Sequence, residues 1–331
     1  MGSLRRSIRW MAALGALVAS VHVAASQAPP AARLLVLLRD ASALAIVDPV
    51  AGTVLARIPT VSGPHEVTAS PDGKLAFVAS PSDGISVIDL EGQTELRRLD
   101  IGQGSEPHDV RFAGGKLYFT AEGYKVIGRY DPQRDEVEWL LGIGQDGTHM
   151  LVLSEDHDTI FTANRGSNSV TVVDNVAAGP PNWRVTAIPV GGEFPEGIAL
   201  SPDGREVWTT TRNDGGVSII DVATKAVTRR LDLNLTDPSR LAFTPDGGRV
   251  LISDGGGNSL VVMDAVARTE LTRLDLAPNA VLVHPDGSRA YAALRGDDRV
   301  AVIDLDTLEV IAQISTGAGS GPGCMFWLNP T

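Results

Sequence analysis

The chain has 331 residues, 43% of them apolar, with 35 glycines, 20 prolines and one cysteine. That is ample material for a large core, and glycine and proline dispersed in this way mark many tight turns between short strands. Forty acidic against 28 basic residues, a formal net charge of −12, exclude a nucleic-acid or anionic-membrane surface, which needs a positive stripe; the lone Cys324 excludes an internal disulfide.

Residues 1–28 read as an export signal. Arg5, Arg6 and Arg9 form a basic start, Met11 to Val23 an apolar stretch, and Ser26-Gln27-Ala28 a small-x-small cleavage site. The apolar stretch is short and broken by Ser20 and His22, which argues against a stable membrane span. Arg5-Arg6 faintly resembles a twin-arginine signal, but the pattern is incomplete and ordinary secretion fits better. Loss of the leader leaves 25 basic against 40 acidic residues, a formal charge of −15. The expected location is periplasmic or secreted.

From residue 33 to residue 328 the sequence repeats one unit as a single domain. Its clearest copy is Gly63 to Asp89, in which apolar runs flank the turn Pro71-Asp72-Gly73 and a third run ends on aspartate. An apolar residue followed by aspartate returns at Asp48, Asp89, Asp131, Asp174, Asp221, Asp264 and Asp304, at intervals of 40–47 residues. The turn marker returns in step, as at Pro202-Asp203-Gly204, Pro245-Asp246-Gly247 and Pro285-Asp286-Gly287. Two markers advancing at one period establish a repeat architecture.

Each repeat holds four strands, exemplified by 197–201, 206–210, 216–220 and 226–233, and each strand is closed by Gly, Asp, Asn or Pro. Seven such units define an all-β fold, a seven-bladed β-propeller of four-stranded antiparallel blades. The chain enters mid-repeat, with 34–38 and 44–47 matching second and third strands. The missing first strand is 324–327, so the ring closes by pairing the C-terminal strand with the N-terminal blade. The one appreciable insertion, Ala177–Asn182, falls in the fourth blade.

The strands Leu75-Ala-Phe-Val-Ala-Ser, Ile160-Phe-Thr-Ala-Asn and Ala290-Tyr-Ala-Ala, with Ser201-Pro-Asp-Gly and Val302-Ile-Asp, resemble the repeats of the bacterial exported YVTN-family propellers, in the YncE-like and d1-haem-propeller-like superfamily. The resemblance covers nearly everything after residue 33. It implies the fold; for activity it implies only a range, from lactonase-like and lyase-like enzymes to surface-layer proteins and haem propellers.

Alignment of the repeats isolates the position that opens each innermost strand, at the mouth of the central channel. Around the ring it reads His65, His108, His149, Glu196, Ser239, Asn279 and Gly323, and the next position includes Glu66, Asp109 and Arg240. His65, Glu66, His108, Asp109, His149, Glu196 and Arg240 are thus the candidate ligand-binding residues. His65, His108 and His149 are candidate metal ligands, because imidazoles converging on an axis can hold a transition metal, contact a haem or move protons. The alternative is a solvated polar rim. The Gly- and Asn-rich loops after the second strands, such as 164–168 and 295–297, read as hairpin turns. No complete catalytic signature is legible. The reading is an exported scaffold that binds a small molecule or another exported protein through its channel mouth; the alternative is an enzyme using the channel histidines, either a lactonase- or lyase-like hydrolase or a metal- or haem-dependent redox protein.

Overall fold

The computed structural model describes residues 32–176 and 182–329. The expected leader, and the insertion apart from Asn182, lie outside the described residues. The described residues form seven separate four-stranded antiparallel sheets, arranged as the blades of a propeller. No helix among the described residues is long and apolar enough to cross a membrane.

Blade 1 is built from both ends of the chain. Its innermost strand is Pro322–Leu328, followed outward by Arg33–Leu38, Ala43–Asp48 and Thr53–Pro59. Leu34 lies opposite Trp327, Leu35 opposite Phe326 and Val36 opposite Met325. This ladder joins the two ends of the ring and leaves neither of them as an open edge.

The strands read as continuous apolar runs because each is buried on both faces. Leu34, Val36 and Leu38 pack against Tyr291 and Val302 of blade 7, while Leu35 and Leu37 pack against Val67 and Val78 of blade 2. The two-residue period of a strand sends alternate side chains into opposite neighbours. At about 1.5–3 kcal/mol per buried large apolar side chain, these inter-blade layers are the main stabilising term. The outermost strands lack a second neighbour and show it: Thr53–Arg57 alternates between exposed and half-buried positions, and Ile58 is buried before exposed Pro59.

The repeated aspartates close the turn between third and fourth strands. Asp48 Oδ1 accepts the backbone N–H groups of Val50 and Ala51, both at 2.9 Å. Asp304 does the same for Asp306 and Thr307 at 3.0 and 2.8 Å. Their regularity comes from this local bonding.

Candidate functional site

The innermost strands of blades 2 to 5 are Glu66–Ala69, Pro107–Ala113, Thr148–Leu153 and Pro195–Leu200. In blades 3 to 6 the pairing of the innermost strand with its neighbour slips at the mouth end, for example between Pro107 and Val110 and between Pro195 and Ile198. Such bulges free a residue from the ladder and re-aim its side chain. His108, His149, Glu196 and Ser239 all fall within these slips. Just before the strands of blades 3 and 5, Glu106 and Phe194 adopt φ of 51° and 59°, so the chain turns sharply into the channel at each.

Three histidines line up around the mouth. His65 Nδ1 and His108 Nε2 are 2.9 Å apart, and the rings of His108 and His149 have centroids 3.6 Å apart at 46°. Arg39 Nη2 donates to His65 Nε2 at 2.7 Å. Since a guanidinium only donates, His65 must carry its proton on Nδ1 and pass it toward His108 Nε2. His149 Nδ1 is hydrogen-bonded to Glu122 Oε1, and its Nε2 lies 3.3 Å from Glu196 Oε1. Among the described residues, two ring nitrogens of these histidines are buried without a hydrogen-bond partner, His108 Nδ1 and His149 Nε2.

The surroundings set the charge states. Burial, with Arg39 nearby, lowers the His65 pKa to about 4. Burial also pushes His108 and His149 well below the usual range, so all three imidazoles are neutral at pH 7. Glu122 is pushed up to about 7 by burial, which Arg165 opposes and Glu196 reinforces. Burial likewise raises Asp109 to about 6, against the pull of Arg111.

An axial cavity of about 390 Å³ lies over this cluster, and every blade contributes to its wall. Arg39, Arg165, Arg212, Arg240 and Arg295 all face it. Arg165 grips Glu196 with two hydrogen bonds, 2.7 and 2.5 Å. Arg240 pairs with Glu66, Arg212 with Asp237, and Arg295 with Asp40. Among the described residues, Arg39 has no carboxylate partner. Larger hollows, such as one of about 650 Å³ between Pro202 and Arg268, lie among repeat turns rather than where the titratable groups converge.

Of the residues singled out by the repeat alignment, His65, His108, Glu196 and Arg240 line the cavity. Glu66 is buried against Arg240, and burial, which would raise its pKa, is overcome by Arg240 and Arg111, so it stays a carboxylate. Asp109 is buried and accepts the Leu151 N–H at 2.8 Å, tying blade 3 to blade 4. His149 is fully buried. For metal-ligand atoms within 4.8 Å of one another the structure groups His108, His149 and Glu122; His65 stands outside that set, holding His108 instead. Cys324 is among the residues lining the cavity, but burial and the neighbouring Glu66 push its thiol pKa well up, which keeps it protonated.

Glu122 and the arginines share a slot that the repeat alignment left among the turns. The residue after the second strand reads Arg39, Pro81, Glu122, Arg165, Arg212, Gly255 and Arg295 from blade 1 to blade 7. Loops 164–168 and 295–297 are hairpin turns, as expected, yet their first arginines reach the axis. Four arginines and a glutamate in one slot of the ring is the signal that marked them.

Seven four-stranded antiparallel blades closed in an all-β ring define a seven-bladed β-propeller. The chain belongs to the YNCE-like beta-propeller family, whose sequence model matches residues 3–329. It is 29% identical over 173 residues to the protein YncE of Salmonella typhi, a match spanning 50% of this chain and 47% of that one, so about half the length of the relative is matched. Among solved structures it is similar to hydrazine synthase of Kuenenia stuttgartiensis, with TM-score 0.72, 21% identity, and coverage of 87% of this chain and 99% of that one. It is also similar to the dihydro-heme d1 dehydrogenase NirN in complex with DHE, with TM-score 0.63, 14% identity, and coverage of 89% and 74%. At these identities the structural likeness shows the fold alone.

Proposed function

We propose that this protein is an exported binding propeller whose channel mouth takes a small anionic molecule, such as a carboxylate or phosphate ester. The observation that carries the reading is Arg39. It is a half-buried guanidinium on the cavity wall with no carboxylate partner among the described residues, beside four further arginines and a neutral His65. A carboxylate or phosphate ligand would supply the missing anion through the fork of N–H donors that arginine presents. The chain as a whole is acidic, so attraction for an anion is local to this mouth.

The volume favours a small molecule over a protein segment. At about 390 Å³, the cavity lies toward the lower end of the roughly 300–1,000 Å³ range of ligand pockets. It suits a small acid better than a haem, although a propeller of this shape is solved in NirN with DHE. A catalytic role through the one thiol is disfavoured, since Cys324 is held protonated.

Isothermal titration of the full chain with a panel of small mono- and dicarboxylates, inorganic phosphate and sugar phosphates tests the reading. The expected result is saturable binding of at least one anion, weakened by salt and lost in Arg39→Ala. Binding of none of them, or equal binding by Arg39→Ala, would overturn it.

A further inference from the structure

The floor of the mouth holds a second arrangement that anion binding does not use. One ring nitrogen each of His108 and His149 and a carboxylate oxygen of Glu122 lie within 4.8 Å of one another. Both histidines are at least nine-tenths buried, at 2% and 0% exposure. Each has one ring nitrogen with no hydrogen-bond partner among the described residues, Nδ1 of His108 and Nε2 of His149. A buried polar nitrogen left unpaired is costly, and here two occur on rings only 3.6 Å apart. Their other nitrogens are engaged, His108 Nε2 by His65 and His149 Nδ1 by Glu122. An ion held by Glu122 takes the place of its hydrogen bond on His149 Nδ1, and Glu196 Oε1, 3.3 Å from His149 Nε2, is then the carboxylate on the far nitrogen, the usual device for orienting a ligating imidazole.

We infer that His108, His149 and Glu122 form a site for a divalent transition metal such as Zn²⁺, with a coordination position open toward the axial cavity. Two imidazoles and a carboxylate are a ligand set that Zn²⁺ accepts, and three protein ligands leave its fourth position free. His108 lines the cavity, whereas His149 is fully buried. The nearby arginines do not forbid a cation, because Arg165, Arg212 and Arg240 are each neutralised by a carboxylate.

Arg39 makes the site conditional. A metal on His108 Nδ1 requires the proton on His108 Nε2, donated to His65 Nδ1. His65 then carries its own proton on Nε2, facing the guanidinium that donates to it in the structure. Loading the ion therefore breaks the Arg39–His65 hydrogen bond and turns Arg39 out toward the cavity. His65 acts here as a positioning residue.

The test is direct titration of the metal-free full chain with Zn²⁺ alone, with no anionic ligand present, so that its outcome is separate from that of the anion reading. One equivalent is expected to bind. His108→Ala and His149→Ala should abolish binding, and Glu122→Gln should weaken it about tenfold or more. Arg39→Ala should tighten it about tenfold, in the range that neighbouring hydrogen-bond partners shift metal affinity. A purely structural role for Arg39 would not give that gain. Should the histidine variants fail to fold, the visible spectrum of the Co²⁺-loaded wild-type protein decides. Intense bands of a four-coordinate ion support the site, and the weak spectrum of hydrated Co²⁺ overturns it. Absence of stoichiometric Zn²⁺ from the wild-type protein, or its retention in the folded double variant of His108 and His149, also overturns it.

Discussion

Arg240 of blade 6 and Glu66 of blade 2 form an ion pair across the channel axis, 174 residues apart in the chain. Blades 2 and 6 are not neighbours in the ring, so the pair bridges the channel rather than sealing a blade interface. Glu66 is 1% exposed and the Arg240 side chain 16%. Removing one partner strands the other charge in a buried setting. Arg240→Met is expected to lower unfolding free energy by about 3–5 kcal/mol. Adding Glu66→Gln should restore much of that loss, because the stranded charge is gone. Denaturant unfolding of the two single variants and the double variant checks this through the coupling energy. Additive losses would show that the pair does not act as a unit.

A steric prediction concerns Gly128 and Phe119, which face each other across adjacent strands of blade 3. A Cβ on Gly128 would stand 2.1 Å from Phe119 Cζ, and Phe119 is fully buried. Gly128→Ala should therefore destabilise by about 1–3 kcal/mol through overpacking. Shortening the partner in Gly128→Ala/Phe119→Leu should recover part of it. Thermal unfolding of the single and double variants reads this, and a harmless Gly128→Ala would contradict it.

Ring closure depends on a strand supplied by the last residues. A chain ended after Gly321 loses Pro322–Leu328, and with it the ladder to Arg33–Leu38. It also loses the stacking of Trp327 on Tyr291, centroids 5.8 Å apart. Both blade 1 and blade 7 would then present unpaired or uncovered surface. The expected outcome is a large fall in midpoint temperature with aggregation, measured by calorimetry and light scattering. A monomer of unchanged melting temperature would show that closure contributes little.

Acid sensitivity follows from the turns between first and second strands. Ser70 Oγ donates to Asp72 at 2.6 Å, Ser201 to Asp203 at 2.6 Å, and Thr244 to Asp246 at 2.5 Å. These bonds, supported by backbone N–H groups, lower the carboxyl pKa values from 3.8. Asp286, bonded by the backbone and hydroxyl of Ser288, falls to about 2. A carboxyl whose pKa is lower in the folded state stabilises the fold above its unfolded value, and that contribution is lost as pH falls through the folded value. Melting temperature should therefore stay level with respect to these groups above about pH 4–5 and decline from about pH 4 toward pH 2. Asp286→Asn should make the decline shallower. An acid limb of unchanged steepness in that variant would refute the assignment.

Much of the candidate site was legible because it lies in register with the repeat. His65, His108, His149 and Glu196 occupy one slot after a turn, and the ring symmetry carries them to one end of the axis. Glu122 and the arginines at 39, 165, 212 and 295 were hidden for a physical reason. They follow the second strands, in loops where glycine and asparagine are already required by the hairpin, and nothing local distinguishes a loop arginine in solvent from one that folds back over a channel.

The sequence alone determined the architecture: the spacing of Asp48 through Asp304 counts the blades, and the unmatched strand at Cys324–Trp327 closes them. Such features rest on local turn chemistry and on a two-residue apolar period, and both are written into consecutive residues. Only the tertiary structure decided which charges meet. Arg240 reaches Glu66, Arg165 takes Glu196, and Glu122 turns toward His149, while Arg39 bonds to His65. Those choices depend on the few ångströms separating side chains from different blades around an axis, a distance that no interval along the chain encodes.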